Sequence, residues 1–272
     1  MRQEAYFCTV KELDELGKNN IPRQLISHTH LIYSSPATLA FNSPGAEGFG
    51  VKRAGLAVPD SVMLIVSPGC CGRNTSVLSS MRAYQDRFYY LLMDETDIVT
   101  GRHLKKIPKA VAEICEGLKK KPSVVMICIT CVDALLGTDM ERVCHKAEEY
   151  AGVPVRPCYM YALTREGRKP PMVHVRQSVY SLLEPKKKKG NVVNLLGYFS
   201  PLTDDCELYD LLHGAGVKTI HEISRCKDYA QYQTMSEANF NLVLHPEARF
   251  AAEDFHDRLK IPYIELRRLY QI

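Results

Sequence analysis

The sequence predicts an α/β protein built from two doubly wound parallel sheets, and three features carry that prediction. Short apolar runs, Val62 to Val66 and Val124 to Ile129, are bounded by turn signals and are too short for buried helices, so they read as strands covered on both faces. Stretches of helical period separate them, and alternation of strand with helix calls for crossover connections and parallel pairing. The same alternation recurs after Lys186-Lys187-Lys188-Lys189, and 272 residues suffice for about two domains.

Residues 1–36 are polar and irregular, with a short helix expected over 11–18, and read as an N-terminal arm that wraps the protein or contacts a partner. A first domain, 37–189, opens on the glycine-rich loop Phe41 to Gly48 and a helical stretch toward Val58. The strand 62–66 runs into Pro68-Gly69-Cys70-Cys71-Gly72, followed by a helix over 75–84 and a second strand, Phe88 to Leu92. Asp94 to Gly101 reads as a loop. A helix over 104–118 has a lysine-rich end that suits its dipole, and the strand 123–129 ends at Thr130-Cys131. Further helices are expected over 139–150, stopped by Gly152, and over 171–183, with an edge-like strand at 153–157.

The second domain, 190–272, repeats the pattern: strands over 192–196, 217–221, 242–244 and 261–265, with helices over 204–213, 226–237 and up to 259. The text stops just after a strand, which predicts that a third unit is missing.

Composition narrows the function. A formal charge of +4 with 35 basic and 31 acidic residues is too mild for nucleic-acid binding, and no basic stripe is interleaved with aromatics. The lysine block reads as a solvated linker. No apolar run approaches the roughly 18 residues of a membrane span, and Met1 to Cys8 has no apolar leader core. A cytoplasmic protein is expected, in which ten cysteines are core thiols, catalytic thiols or metal ligands, not a disulfide framework. G-x-G-x-x-G and G-x-x-x-x-G-K-[ST] are both missing, which disfavours a nucleotide pocket.

Cys70, Cys71 and Cys131 follow the carboxyl ends of predicted buried strands in one sheet, the edge where open α/β sheets bind ligands. Three thiolates meeting there are able to hold an iron–sulfur cluster. A zinc ribbon needs two close cysteine pairs, and Cys128-Ile129-Thr130-Cys131 supplies only one. A dithiol redox pair would start at a helix N-terminus, but Cys128 falls within the predicted strand. Cys115, Cys144, Cys158, Cys206 and Cys226 stand singly and read as structural thiols.

Three ordered motifs, Pro68-Gly69-Cys70-Cys71-Gly72, Asp94-Glu95-Thr96-Asp97-Ile98-Val99-Thr100-Gly101 and Thr130-Cys131-Val132-Asp133-Ala134-Leu135-Leu136-Gly137-Thr138-Asp139-Met140, resemble the signature of nitrogenase component 1. That family includes the dark-operative protochlorophyllide reductases and other nitrogenase-like proteins. The resemblance extends from about Ala37 to Ile261-Pro262-Tyr263-Ile264-Glu265. It implies Rossmann-like domains, three in the full family pattern, and pairing with a homologous subunit as a homo- or hetero-oligomer. It also implies an iron–sulfur cluster, 4Fe–4S or larger, at the subunit interface, reduced by an ATP-dependent iron protein and serving a small-molecule substrate. By motif position Cys71 and Cys131 match two cluster cysteines, and Asp94 to Gly101 matches a segment near the reductase-facing surface.

The departures are specific. The family's first cluster cysteine falls where this chain has Asn42-Ser43-Pro44-Gly45-Ala46, and Cys70 is additional. Cys70 replaces the missing ligand, or the partner chain supplies more, or the cluster differs in type. His245 lies about where the nitrogenase catalytic subunit has a cysteine bound to its metal cofactor, yet reads as a cap or core-edge histidine, as does His174. Three functions stay open: a redox enzyme subunit passing electrons through a cluster at Cys70, Cys71 and Cys131, a scaffold or carrier that holds a cluster without turnover, and a two-lobed small-molecule binding module.

Overall fold

The computed structural model describes residues 9–17, 20, 50–69, 79–160 and 169–266. Near the start, helix α1 (Val10–Leu16) is capped by Thr9, which exchanges hydrogen bonds with Glu12. The rest of the arm and the glycine-rich loop lie outside the described residues.

The first sheet is assembled from α2 (Val51–Gly55), β1 (Val62–Ser67) and β2 (Phe88–Leu92), with α3 (Glu95–Thr100), α4 (Arg102–Gly117) and β3 (Val125–Ile129) next. It is completed by α5 (Cys131–Leu135), α6 (Met140–Ala151) and β4 (Val155–Tyr159). Its strands are all parallel, in the order β2-β1-β3-β4. The central strands β1 and β3 are buried throughout, as their uninterrupted apolar sequences require. Pro157, which cannot donate to a ladder, sits in the edge strand β4.

Helix α7 (Pro171–Tyr180) leads to a second parallel sheet with the same winding, β6-β5-β7-β8. Its elements are β5 (Val192–Leu196), α8 (Glu207–Gly214), β6 (Thr219–His221), α9 (Tyr229–Gln233), β7 (Phe240–Val243), α10 (Arg249–Leu259) and β8 (Tyr263–Glu265). The helix expected over 226–237 begins later, because Asp228 caps it by accepting from Gln231 N–H, and it tightens into a 3-10 turn over Thr234–Glu237. The segment expected as a loop at 94–101 is instead a full helix. Asp94 caps it, Asp97 completes a reciprocal capping box, and Gly101, at φ +65°, ends it and opens α4.

One face of the first sheet packs Leu64, Val66, Ile127 and Ile129 against α4 and α6. The opposite face, with Met63, Ile65, Met126 and Cys128, merges into a core shared with α2, α7, the second sheet's Leu196 and Val243, and Phe255 of α10. Arg176 fastens α7, which packs on β4, to the second sheet. Its guanidinium, almost fully buried, donates to Gly197 O at 3.0 and 2.6 Å, to Met172 O and to Glu247 Oε2 at 2.7 Å, and stacks on Phe199.

Candidate functional site

A doubly wound sheet binds ligands at the carboxyl end of the strands where the winding reverses. In the first sheet the chain goes from β1 outward to β2 and then crosses to β3 on the other side of β1, so the reversal lies between β1 and β3. Their register pairs Val66 with Ile129. One step further Ser67 lies beside Thr130, and both strands deliver their following residues to the same rim.

Cys70 and Cys71, three and four residues beyond Ser67, fall outside the described residues, as do Asn42 and Ser43 and the first four residues of the helix expected over 75–84, whose described end is a 3-10 turn at Arg82–Tyr84. Cys131 is the first residue of α5, where backbone N–H groups are unpaired within the helix. The strand–helix junction thus places its backbone at the rim between the two central strands. Cys128 is inside β3 and fully buried, beside Cys158 of β4 in register, and burial pushes the Cys158 thiol well up. That arrangement suits core thiols and removes the dithiol reading. Cys144 and Cys226 are likewise pushed up by burial, the latter to about 11.

Behind the rim lies a polar network that the sequence reading missed. His103, fully buried at the start of α4, places Nδ1 3.0 Å from Asp97 O and Nε2 2.9 Å from Asp133 Oδ1. Asp133 Oδ1 also accepts from Thr138 Oγ1 at 3.0 Å. A backbone carbonyl only accepts, so Nδ1 donates to Asp97 O, and Nε2 faces the Asp133 carboxyl. Asp97, buried, receives Arg102 Nε at 2.7 Å and Lys106 Nζ at 2.8 Å. The Lys106 ammonium first, then the Arg102 guanidinium, hold its carboxyl well below the usual carboxylate range. The signal in the sequence was His103 itself: with Ile107, Val111 and Ile114 it occupies the apolar stripe of α4, a polar residue where the helix is buried.

The rim also has groups without partners. Ser67 Oγ, Thr130 Oγ1 and Asp133 Oδ2 are buried and make no hydrogen bond among the described residues. Buried hydroxyls facing nothing are costly, so a rim with donors to spare and cysteines in both flanking segments fits a sulfur-rich anionic group such as an iron–sulfur cluster. Cys131, Cys70 and Cys71 are the residues that would hold it. Among the described residues no cluster of three or more His, Cys, Asp or Glu side chains is arranged as a metal site.

The second sheet has an equivalent reversal between β5 and β7. Gly197 follows β5 at φ +134°, and a Cβ there would lie 2.7 Å from His245 N. His245 caps the 3-10 turn Pro246–Ala248 by accepting from Glu247 N–H at 3.3 Å, and lies edge-on to Tyr198. It serves as a cap, in line with the sequence. His174 packs edge-on to Tyr159 at 4.2 Å, and burial, reinforced by Lys169, lowers its pKa to about 4.

The fold and rim therefore define an α/β protein of two parallel sheets, with the backbone of Cys131 at the switch-point edge of the first. The chain belongs to the nitrogenase component 1 type oxidoreductase family, whose model matches residues 47–272. It is similar to the nitrogenase iron-molybdenum cofactor biosynthesis protein NifE of Nostoc sp. (strain PCC 7120), 26% identical over 76% of this chain and 44% of that protein. NifE of Rhizobium meliloti is 27% identical over 79% of this chain and 47% of its own length. Among solved structures, nitrogenase Cp1 at pH 6.5 shares the fold with a TM-score of 0.60 at 17% identity, covering 80% of this chain and 52% of that one. The chain spans about half the length of the relatives it matches. Among the described residues no helix is long and apolar enough to cross a membrane.

Proposed function

We propose that this chain is a cluster-holding subunit of a nitrogenase-like assembly, with an iron–sulfur cluster at the carboxyl rim of the first sheet ligated by Cys70, Cys71 and Cys131. The observation that carries the reading is the switch point itself: adjacent parallel strands β1 and β3 lead directly into the segments that hold these cysteines. When bound, the cluster supplies one-electron chemistry or a transferable iron–sulfur core. The chain's own residues ligate it and hold the α5 helix in place through the His103–Asp133 contact.

The role we favour is that of a scaffold for a cofactor intermediate, because the relatives of similar sequence from Nostoc and Rhizobium are named cofactor biosynthesis proteins. A second reading, passage of electrons from an ATP-dependent iron protein to a small-molecule substrate, is favoured by the family's oxidoreductase description. Exposed Leu92, Val99, Leu135 and Leu136 sit on elements at or after the carboxyl ends of β2 and β3. They support a homologous subunit docking over the rim. We also propose that residues 37–189 and 190–272 act as the two domains of this subunit. Incubation of the cluster-loaded protein with an iron protein and MgATP separates the roles. A scaffold transfers its iron and sulfide to an acceptor protein, whereas an electron carrier is reduced and keeps its cluster; a protein that does neither contradicts both.

A further inference from the structure

Ser67 ends β1 and Thr130 follows the last residue of β3. The register that pairs Val66 with Ile129 sets the two side by side. Strand alternation carries both toward the side of Ile65 and Cys128, the side of the core shared with the second sheet, and away from the α4 face that packs Val66 and Ile129. Ser67 is 0% and Thr130 1% exposed, and neither hydroxyl has a hydrogen-bond partner among the described residues. One unpaired buried hydroxyl is an ordinary packing defect. Two on neighbouring strands, at the point where the winding reverses, form a pair of donors with nothing in the described chain to receive them.

A cluster of iron, sulfide and thiolate is an acceptor of this kind. Its sulfurs take O–H donors, and because its reduced form carries more negative charge, each donor stabilises the reduced form more and raises the potential. We propose that Ser67 and Thr130 donate O–H···S hydrogen bonds to the sulfur atoms of the cluster held at this rim, and thereby set its reduction potential. The inference rests on the cluster reading given above and adds two non-cysteine residues to it.

The test uses the full chain, reconstituted anaerobically with iron and sulfide, as wild type, Ser67→Ala, Thr130→Val, the double variant and Thr130→Ser. Redox titration followed by visible absorbance and EPR should give unchanged iron content. The midpoint potential should fall in Ser67→Ala and in Thr130→Val, each by about a tenfold change in the reduction equilibrium, roughly 59 mV, and further in the double variant. Thr130→Ser keeps the hydroxyl and should keep the wild-type potential. In the cluster-free protein the thermal midpoints of Ser67→Ala and Thr130→Val should be unchanged or higher, since neither hydroxyl has a partner among the described residues to lose. Potentials equal to wild type, variants that lose iron, or a cluster-free protein weakened by either substitution would each overturn the assignment, while a wild type that takes up iron and sulfide keeps the cluster reading standing. A wild-type chain that takes up no iron would overturn the cluster reading, and this inference with it.

Discussion

His103 Nε2 lies 2.9 Å from Asp133 Oδ1, a fully buried contact that ties the first turn of α4 to the short helix beginning at Cys131. Through Nδ1 the same ring holds the backbone of Asp97 in α3, so three helices at the carboxyl rim are joined by one imidazole.

Removing one partner takes a hydrogen bond from a fully buried group of the other, leaving Asp133 only Thr138 and His103 only Asp97 O. His103→Ala should therefore destabilise the protein by about 3 kcal/mol or more, and Asp133→Asn by a similar amount. A double-mutant cycle by urea unfolding should return a coupling energy above about 1 kcal/mol. Additive effects would show that the two side chains do not act on each other.

Asp97 makes an acid-sensitive contribution to stability. Its carboxyl is depressed in the folded protein by Lys106 and Arg102, whereas in the unfolded chain an aspartate titrates near 3.9. The contribution is fully present above the unfolded value and is lost as pH falls from about 5 through the folded value. Asp97→Asn should lower stability at neutral pH and flatten the fall between about pH 5 and 2. An unaltered acid limb in thermal melts would rule this out.

His174 acts in the pH range above that. Its folded pKa of about 4 lies below the ordinary value near 6.5, so the unfolded chain takes up a proton first. Stability is unaffected above about pH 7, declines between about 6.5 and 4, and levels off below. His174→Gln should remove that decline, and the imidazole resonance lost in the variant should titrate near pH 4 in the wild type. A midpoint near 6.5 would mean that the ring is solvated.

Gly197 and Gly216 both have positive φ, at +134° and +88°, but only Gly197 would drive a Cβ into neighbouring backbone, that of His245. Gly197→Ala should cost at least about 2 kcal/mol, adding a clash to backbone strain, and Gly216→Ala about 1 kcal/mol from strain alone. Equal losses would contradict the close approach of β5 and the His245 turn.

What the sequence disclosed followed from how each element buries its surface. The central strands β1, β3 and β5 are covered on both faces and wrote themselves as apolar runs, and Asp139 and Gly152 punctuated α6 as cap and stop. The helix at 95–100 went unread because it is six residues long and polar, made by a capping box instead of a periodic apolar face. At the site, position along the strands placed Cys131 at the rim, since topology follows from alternation. The His103–Asp133 pair stayed hidden because it joins residues thirty apart, and the unpartnered hydroxyls of Ser67 and Thr130 because an unmade bond leaves no mark on a sequence.

The most direct measurement is the iron and acid-labile sulfide content of the anaerobically reconstituted protein, compared with Cys71→Ala and Cys131→Ala. A cluster held at the rim predicts stoichiometric iron and sulfide in the wild type, with a brown chromophore, and loss of most of both in each variant while the far-UV circular dichroism is unchanged. Iron and sulfide that persist in both variants, or a colourless wild type after reconstitution, would contradict the assignment of the cluster to these cysteines.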